Sequence, residues 1–235
     1  MPDLVVNLAD TLGIEYRRYR DRNGSSVNSD SFGRAASPQS RPTRTEVRQR
    51  LMAAAADEFA EHGFVAARLT EIARRAGFTK GAVYSNFESK QDLFAELFAE
   101  RSLELAARVL AEIAGLSATD AAGRGGATIS SWLVGDPGWA LLVLEFGVQA
   151  GRDPSLAQAY LRERRRLRGQ IEELVVERAN EWGVADRLDA RNIAITLMAL
   201  ISGLMLEHAV DPEQVDQRAV QSAISGLFAN ALIRD

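Results

Sequence analysis

The chain has helical periodicity over most of its length. After Thr43, apolar residues recur every three or four positions, beginning with Val47, Leu51, Ala55 and Phe59, which is the spacing of one helix face. Gly, Pro and capping residues separate the periodic segments, and no alternating segment bounded by turns indicates a strand. The sequence therefore predicts an all-α fold. The predicted helices cover residues 44–62, 69–76, 80–86, 90–114, 119–134, 137–151, 154–182, 189–209 and 213–233.

The residues before Thr43 differ in composition. Residues 21–42 are rich in Ser, Asn, Gly, Arg and Pro, and their only large apolar side chains are Val27 and Phe32. Such a segment buries too little surface to offset the entropy lost on ordering, so we predict that it is disordered or a linker. Residues 4–20 fit either a short helix or a loose tail.

Composition argues against several kinds of site. The 235 residues include no cysteine and two histidines, so the sequence predicts no disulfide, no metal centre and no cofactor. No basic-then-apolar signal segment follows Met1. The longest apolar run, residues 193–206, is shorter than the roughly 20 residues that span a bilayer. We therefore expect a soluble cytoplasmic protein without a membrane segment.

The charges are unevenly distributed. The net charge is −4, but residues 1–95 carry 14 Lys and Arg against 12 Asp and Glu, whereas residues 96–235 carry 14 against 20. This balance permits the N-terminal part to approach a polyanion and disfavours such an approach by the C-terminal part. The two lysines of the chain, Lys80 and Lys90, both lie in the N-terminal part.

Two short predicted helices, 69–76 and 80–86, are joined by a turn at Gly77, which indicates a helix-turn-helix. Ile72 and Ala73 supply a large and a small side chain where the two helices would cross. The second helix of such a motif reads bases with its first residues. Those first positions are occupied by Lys80, Gly81 and Ala82.

The residue types around this turn suit contacts with DNA. Lys80 suits guanine O6 and N7 or a phosphate, and Ala82 suits a thymine methyl group. Thr79 can cap the third helix and offer its hydroxyl to a phosphate. Lys90 lies in the first turn of the fourth helix, where the helix dipole disfavours a cation but a phosphate would favour one. Hydroxyl or amide groups that suit phosphates or base edges come from Tyr84, Ser85 and Asn86.

Residues 50–98 resemble the N-terminal DNA-binding domain of the TetR family of bacterial transcriptional regulators. The matching positions are Ala55, Phe59, Gly63, Phe64, Ile72, Ala73, Ala76, Gly77, Lys80, Gly81, Ala82, Tyr84, Phe87, Lys90 and Leu93. The resemblance implies a dimeric, all-helical regulator whose first three helices bind an operator. Carried onto matching positions, it implies DNA contacts from Thr70, Thr79, Lys80, Gly81, Ala82, Tyr84, Ser85 and Lys90.

The sequence departs from the family pattern at Arg68, where Ser or Thr usually caps the second helix. The cap and its phosphate hydroxyl are then missing, although the Arg68 side chain can itself reach a phosphate. Arg44 can add a contact to the DNA backbone or minor groove. The predicted organisation is an extension over 1–42, a helix-turn-helix DNA-binding domain over 43–89, and a helical effector-binding and dimerisation domain over 90–235.

The sixth predicted helix, 137–151, is apolar nearly all round, so we expect it to be buried in the centre of the C-terminal domain. Glu145 lies within it and needs a partner, which is a structural contact at the edge, Arg152, Arg164 or a ligand. The large apolar residues of this region fit either a plain core or the lining of an apolar pocket. The candidate pocket residues are Trp132, Trp139, Glu145, Phe146, Gln149, Met198 and Met205.

The last two predicted helices, within 189–233, carry small residues in their apolar stripes, so they can approach another helix closely. Two such helices from each of two subunits would form a four-helix interface. The resemblance places the dimer interface in the same region. A twofold homodimer would present its recognition helices about 34–36 Å apart to a near-palindromic site.

These features favour a DNA-binding transcriptional regulator, namely a repressor released from a double-stranded operator by a small, largely apolar effector. A ligand-independent DNA-binding protein or an activator of the same fold is the alternative. A helical enzyme is less favoured because the sequence shows no metal cluster, no nucleophile with a histidine base and no phosphate loop. We therefore do not expect an enzyme.

Overall fold

The computed structural model describes residues 42–232, which are helical with short connections and contain no strand. The predicted all-α fold is confirmed. A short 3₁₀ helix, Ala185–Arg187, precedes the eighth α-helix. Except for Pro42, the predicted N-terminal extension lies outside the described residues, as does the alternative helix at residues 4–20. The helices are α1 (Arg44–Ala66), α2 (Leu69–Ala76), α3 (Lys80–Tyr84), α4 (Lys90–Ile113), α5 (Ala118–Gly135), α6 (Pro137–Ala150), α7 (Pro154–Glu181), α8 (Ala190–Val210) and α9 (Gln217–Leu232).

Helices α4 to α8 start within one residue of the predicted positions, and a polar side chain caps each of these five. Ser89 Oγ accepts a hydrogen bond from the Asp92 amide at 3.0 Å at the start of α4. Asp136 Oδ1 accepts from the Trp139 amide at 2.9 Å at the start of α6. Each bond satisfies one of the amides that a helix leaves free at its N-terminus.

The predicted end of the third helix at residue 86 is wrong. The helix stops at Tyr84 because the Ala82 carbonyl, which a continuing helix would offer to the Asn86 amide, accepts side chains instead. Ser85 Oγ donates to that carbonyl at 2.9 Å and Asn86 Nδ2 at 2.8 Å. The Asn86 amide donates to the Val83 carbonyl at 3.0 Å. These side chains therefore end the helix early.

The predicted start of the last helix at residue 213 is also wrong, because two aspartates form successive turns. Asp211 Oδ1 accepts from the Gln214 amide at 3.1 Å. Asp216 Oδ1 accepts from the Ala219 amide at 2.9 Å, so α9 begins at Gln217.

One hydrophobic core joins the helix-turn-helix to the helices that follow it. Phe94 of α4 lies at its centre, with ring centroids 5.3 Å from Phe59, 5.5 Å from Phe64, 4.3 Å from Phe146 and 5.8 Å from Trp139. Aromatic pairs at such distances add to the stabilisation from burial. The described residues from Thr45 onward belong to one compact unit, and the domain division predicted between residues 89 and 90 remains a prediction.

A second core lies between α5, α6, α8 and α9 and includes Leu133, Val220 and Ile224. Helices α5 and α9 make the most extensive helix contact in the described part of the chain. At Gly126 a Cβ would overlap with Ser225 Oγ and lie 3.1 Å from the Ser225 amide nitrogen and 3.2 Å from the Gln221 carbonyl oxygen. Glycine therefore permits the close approach of these two helices.

Helix α8, Ala190–Val210, is longer than the apolar run recognised in the sequence. Its 21 residues are long and apolar enough to cross a membrane. In the fold, however, α8 packs against α6 and α7 and buries Ile193, Ala194 and Leu197. Helix packing therefore explains the apolar residues on the inner face of α8.

Candidate DNA-binding surface and effector cavity

The turn between α2 and α3 has the geometry of a helix-turn-helix. Gly77 has φ 76° and ψ 29°, a left-handed conformation that favours glycine. The Phe78 amide donates to the Ala73 carbonyl at 2.9 Å, which closes the end of α2. Ile72 and Val83 are fully buried, so the orientation of α3 on α2 is fixed by apolar contacts.

Two arginines of α1 brace this motif. Arg50 Nη2 donates to the Ala76 carbonyl at 2.8 Å, and its guanidinium lies 4.7 Å from the centre of the Phe78 ring. Arg48 Nη1 donates to the Asn86 carbonyl at 3.1 Å. These cations of α1 therefore hold the ends of α2 and α3.

The start of α2 is held by a residue of α1. The Arg68 side chain makes no capping hydrogen bond, as the sequence predicted. The Arg68 amide donates to Glu58 Oε1 of α1 at 3.3 Å. Glu58 is buried, and its Oε2 lies 3.1 Å from Arg75 Nε. A buried carboxylate thus connects α1 to both ends of α2.

Most of the predicted DNA contacts lie on exposed positions. Lys80 projects from the first turn of α3, with its Nζ 5.5 Å from the centre of the Tyr84 ring. Thr79 precedes α3 in an extended conformation, but its side chain makes no capping bond, so that prediction is wrong and the hydroxyl is not committed to the helix. The exposed candidates are Arg44, Arg68, Thr70, Thr79, Lys80, Gly81, Tyr84 and Ser85.

Two other candidates are half-buried, namely Ala82 in α3 and Asn86 in the turn that follows it. Asn86 donates its side-chain amide to the Ala82 carbonyl and to Ser85 Oγ, at 2.8 and 3.3 Å. Its amide donors therefore already have partners within the helix-turn-helix. The structure gives Asn86 a role in ending α3, and its contact with DNA remains a prediction.

Lys90 lies against the end of α1. Its ammonium donates to the carbonyls of Phe64, Val65 and Ala67 at 2.7, 2.9 and 3.1 Å. An ammonium has three donors, so these bonds use all of them. Burial lowers the pKa of Lys90, and the charge of Glu145 opposes that shift. A phosphate contact from Lys90 would require one of these bonds to break, so the observed contacts argue against it.

Glu145 of α6 binds the same segment from the other side. Its carboxylate accepts from the Phe64 amide at 2.9 Å and from the Val65 amide at 3.2 Å. These amides are free because Gly63, with φ 73° and ψ 172°, interrupts α1. A Cβ at Gly63 would lie 2.9 Å from Glu145 Oε2. Glycine is therefore required both by the conformation and by the close approach of the carboxylate.

We call this arrangement the α1 clamp: Lys90 and Glu145 bound to the backbone of residues 63–67. It connects α1 of the helix-turn-helix to α4 and α6. The predicted partners of Glu145 were Arg152, Arg164, a ligand or a structural contact, and the structure shows the last. The Glu145 carboxylate thus binds backbone amides, and the Lys90 ammonium binds backbone carbonyls of the same segment.

An apolar cavity of about 160 Å³ lies between α4, α5, α7 and α8. Of the residues predicted for a pocket, Trp132, Met198 and Met205 line it. The other four lie outside this lining. Trp139 and Phe146 face the aromatic core around Phe94, Glu145 binds α1, and the half-buried Gln149 is not part of the lining. The side of α6 that contributes to the cavity is that of Val143.

Sequence reasoning missed Arg178, which also lines the cavity. A usable signal exists in the helical spacing of α7. One helix face at positions i, i+3, i+4, i+7 and i+11 carries Ile171, Leu174, Val175, Arg178 and Trp182, and all five line the cavity. A cation that completes an apolar stripe is unusual, and its position predicts a buried arginine.

Two family models match the chain. One, described as bacterial regulatory proteins of the tetR family, matches residues 51–97. The other, described as the C-terminal part of BetI-type transcriptional repressors, matches residues 131–232. Together they cover the helix-turn-helix with the start of α4, and the chain from the last residues of α5 to α9.

Curated relatives match a short part of the chain. The chain is 47% identical over 55 residues to YdgC, an uncharacterised HTH-type transcriptional regulator of Bacillus subtilis, which is 23% of this chain and 28% of that protein. It is 47% identical over 49 residues to BepR, an HTH-type transcriptional repressor of Brucella suis, covering 21% and 23% of the two chains. The chain thus spans less than a third of the length of these relatives.

Solved structures match nearly over their full length. A TetR-family transcriptional regulator from Rhodococcus sp. has a TM-score of 0.68 at 21% identity, covering 80% of this chain and 99% of that one. The regulator FadR of Bacillus subtilis, in complex with stearoyl-CoA, has a TM-score of 0.61 at 20% identity, covering 78% and 98%. These likenesses concern the fold. With both family models matched in order on this fold, the chain belongs to the TetR family of bacterial transcriptional regulators.

Proposed function

We propose that this protein is a homodimeric transcriptional repressor that leaves its operator when a small, largely apolar effector binds. The observation that carries the proposal is the surface at the start of α3. There Lys80, Thr79 and Tyr84 are exposed on a helix whose inner side is fixed by Val83 and Phe87. A rigid helix that presents a cation and hydroxyl groups at its first turn suits the major groove of DNA.

Within this proposal the side chains have different tasks. Lys80 contacts guanine or a phosphate, while Thr79 and Tyr84 contact phosphates. Gly81 and Ala82 let the backbone approach the bases, and Ala82 is the weaker candidate because it is half-buried.

Effector binding is supported by the cavity and by its position. Its lining includes Phe98 and Val109 of α4 and Val143 of α6. The same two helices carry Lys90 and Glu145 of the α1 clamp. A molecule that displaces α4 or α6 would therefore move the backbone of α1 and change the orientation of the DNA-binding surface. Operator binding and effector binding would then oppose each other by linkage, with a coupling free energy of typically about 1–3 kcal/mol.

The names of similar proteins support the same direction of regulation. BepR is named a repressor, and FadR of Bacillus subtilis was solved with stearoyl-CoA, a molecule with a long apolar part. We accordingly assign the chain a regulatory task in the cytoplasm, where it reaches DNA, and no catalytic activity.

The proposal is tested by fluorescence anisotropy with DNA that flanks the gene of this protein. We expect saturable, salt-sensitive binding. Lys80→Ala should weaken it by about tenfold or more if Lys80 contacts a base. A smaller salt slope with unchanged sequence preference would assign Lys80 to a phosphate.

The matched control is Arg165→Ala, which removes one cation from an exposed position of α7 and should leave affinity and salt slope unchanged. If Lys80→Ala binds the operator as the unsubstituted protein does, the assignment of the recognition helix is wrong. If no effector releases the DNA although the cavity binds ligands, the ligand-independent alternative is favoured.

A further inference from the structure

The cavity contains a charged side chain, that of Arg178. Release from DNA by an apolar effector does not by itself explain its presence. Arg178 lies on α7 with its side chain 8% exposed. It shares the lining with apolar residues such as Leu174, Trp182 and Phe228. Arginine is almost never fully buried unless its charge and donors are paired, so each of its N–H groups has to be accounted for.

Two half-exposed glutamates neutralise the outer part of this guanidinium. Nη1 lies 2.6 Å from Glu181 Oε2, and Nη2 lies 3.0 Å from Glu177 Oε1. Nε and Nη2 are nevertheless buried and have no hydrogen-bond acceptor among the described residues, because the approach of Glu177 lacks hydrogen-bond geometry. In a planar guanidinium, Nε and one terminal nitrogen form an edge that binds a carboxylate through two parallel bonds. Arg178 has donors without acceptors on that edge.

The other polar groups of the lining do not supply the missing acceptor. Ser202 Oγ donates to the Met198 carbonyl at 2.9 Å, and Trp182 Nε1 donates to the Leu116 carbonyl at 3.1 Å. Arg164 adds a second cation to the lining, and within residues 42–232 no Asp or Glu lines the cavity. An organic cation would therefore meet two arginines in the lining. A carboxylate would instead find hydrogen-bond donors on the Nε and Nη2 edge of Arg178, and Arg164 supplies favourable charge because Glu177 and Glu181 already offset the charge of Arg178.

The cavity lining follows α7 over several turns. It includes residues of this helix from Arg164 to Arg178, and Trp182, which follows the last residue of the helix. Apart from the two arginines and two serines, the lining consists of apolar and aromatic side chains and one glycine. This composition suits a molecule with a large apolar part and a single polar group.

We propose that the effector is an apolar organic acid whose terminal carboxylate binds the Nε and Nη2 edge of Arg178 while its hydrocarbon part fills the cavity. This inference rests on the proposed function, because it assumes that the cavity is the effector site. It adds the chemical class of the ligand and the residue that recognises it. Leaving a charged donor buried without an acceptor is costly, and a bound carboxylate removes that cost.

The inference is tested by calorimetric binding to the full chain with saturated fatty acids, from hexanoate to hexadecanoate. Each acid is compared with the primary alcohol and the alkyltrimethylammonium ion of equal chain length. We expect the best acid to bind at least about tenfold more tightly than its alcohol, as is usual when a charge-assisted bidentate pair is available. The ammonium ions should not bind measurably.

Arg178→Met is the informative variant because it keeps an unbranched, apolar side chain of similar length. It should bind the alcohols as the unsubstituted protein does and lose the preference for acids. Arg178→Lys keeps the charge without the two-donor edge, so it should retain only part of the preference, and it serves if the Met variant does not fold. Arg165→Met, at an exposed position of α7, should retain the full preference.

Equal binding of acids and alcohols, or a preference that survives in Arg178→Met, would overturn the inference. Absence of binding by every acid in the series would overturn it as well. Failure of the proposed function is a separate outcome, because it is measured by operator binding and not by ligand binding. An acid that binds through Arg178 but does not release DNA would contradict the repressor mechanism and leave the recognition of acids by Arg178 intact.

Discussion

At the scale of single residues, the α1 clamp explains why α1 can end abruptly beside the DNA-binding surface. Gly63 interrupts the helix and leaves amides and carbonyls without helical partners. Glu145 accepts from the amides of Phe64 and Val65, and Lys90 donates to the nearby carbonyls. Backbone groups at a helix end need such partners, and here they come from two different helices.

Glu145→Gln should lower the free energy of unfolding by about 1–2 kcal/mol, since hydrogen bonds to a charged group are stronger than those to a neutral amide. Denaturant unfolding measures the change. Glu173→Gln removes a carboxylate from an exposed position of α7 and should have little effect. Equal stabilities for the two variants would mean that the Glu145 carboxylate contributes nothing to the clamp.

Lys90→Met should also destabilise the protein, and the difference should depend on pH. Burial lowers the pKa of Lys90 below its ordinary value of 10.5. Between the lowered pKa and the ordinary one, the unfolded chain binds more protons than the folded chain. The contribution of Lys90 to the free energy of unfolding therefore rises with pH in this window.

Denaturant unfolding of both proteins at neutral pH and at mildly alkaline pH provides the measurement. The stability gap between the unsubstituted protein and Lys90→Met should widen as the pH approaches 10.5. A gap that narrows would show that the folded state favours the charged form of Lys90.

The limits of prediction at this scale depend on sequence distance. Ser89 was recognised as a cap because its partner is three residues away. The partner of Glu145 lies 81 residues earlier, so helical periodicity contains no information about it. For the same reason the sequence assigned Lys90 to a phosphate, since its carbonyl partners belong to another helix.

At the scale of helices, α5 and α9 show how one small residue allows two helix axes to lie close together. Gly126 lies where the backbone of α9 approaches α5, near the Ser225 amide and the Gln221 carbonyl. A side chain would displace the Ser225 hydroxyl, which can rotate, and would also press on main-chain atoms, which cannot move aside by a change of rotamer. The sequence predicted both helices but not which faces would meet, because the closeness depends on the tertiary fold.

Gly126→Ala should therefore destabilise the protein, although alanine favours a helix. Overpacking typically costs about 1–3 kcal/mol, which exceeds the gain of up to about 1 kcal/mol from replacing a helical glycine. Gly123→Ala is the control, since nothing lies within 4 Å of a Cβ there. Thermal unfolding should give a lower midpoint for Gly126→Ala and an unchanged or higher one for Gly123→Ala. Equal midpoints would mean that α9 adjusts to the added methyl group.

At the scale of the whole molecule, α8 presents apolar side chains on its outer face. Ile195, Leu206 and Val210 are 43%, 49% and 75% exposed, and Ala199 and Gly203 lie between them at helical spacing. This stripe supports the predicted homodimer through the last two helices, because a second copy would remove it from water.

Leu206→Glu should convert the protein to a monomer, since a carboxylate in the centre of an apolar interface would be buried without a partner. Light scattering after size exclusion measures the mass, and anisotropy should show weaker operator binding. Leu161→Glu makes the same change at an exposed leucine of α7 and should leave the mass unchanged. A dimeric Leu206→Glu protein would place the interface elsewhere.

Glu145 also bears on how this regulator can be re-engineered. Exchanging helix-turn-helix segments between regulators assumes that each segment folds correctly on any host. Here the end of α1 depends on a carboxylate supplied from α6, beyond the segment that would be exchanged. A chimera that grafts residues 43–89 onto a foreign host would bring Gly63 with it. The host would still need an acidic residue at the position that corresponds to Glu145.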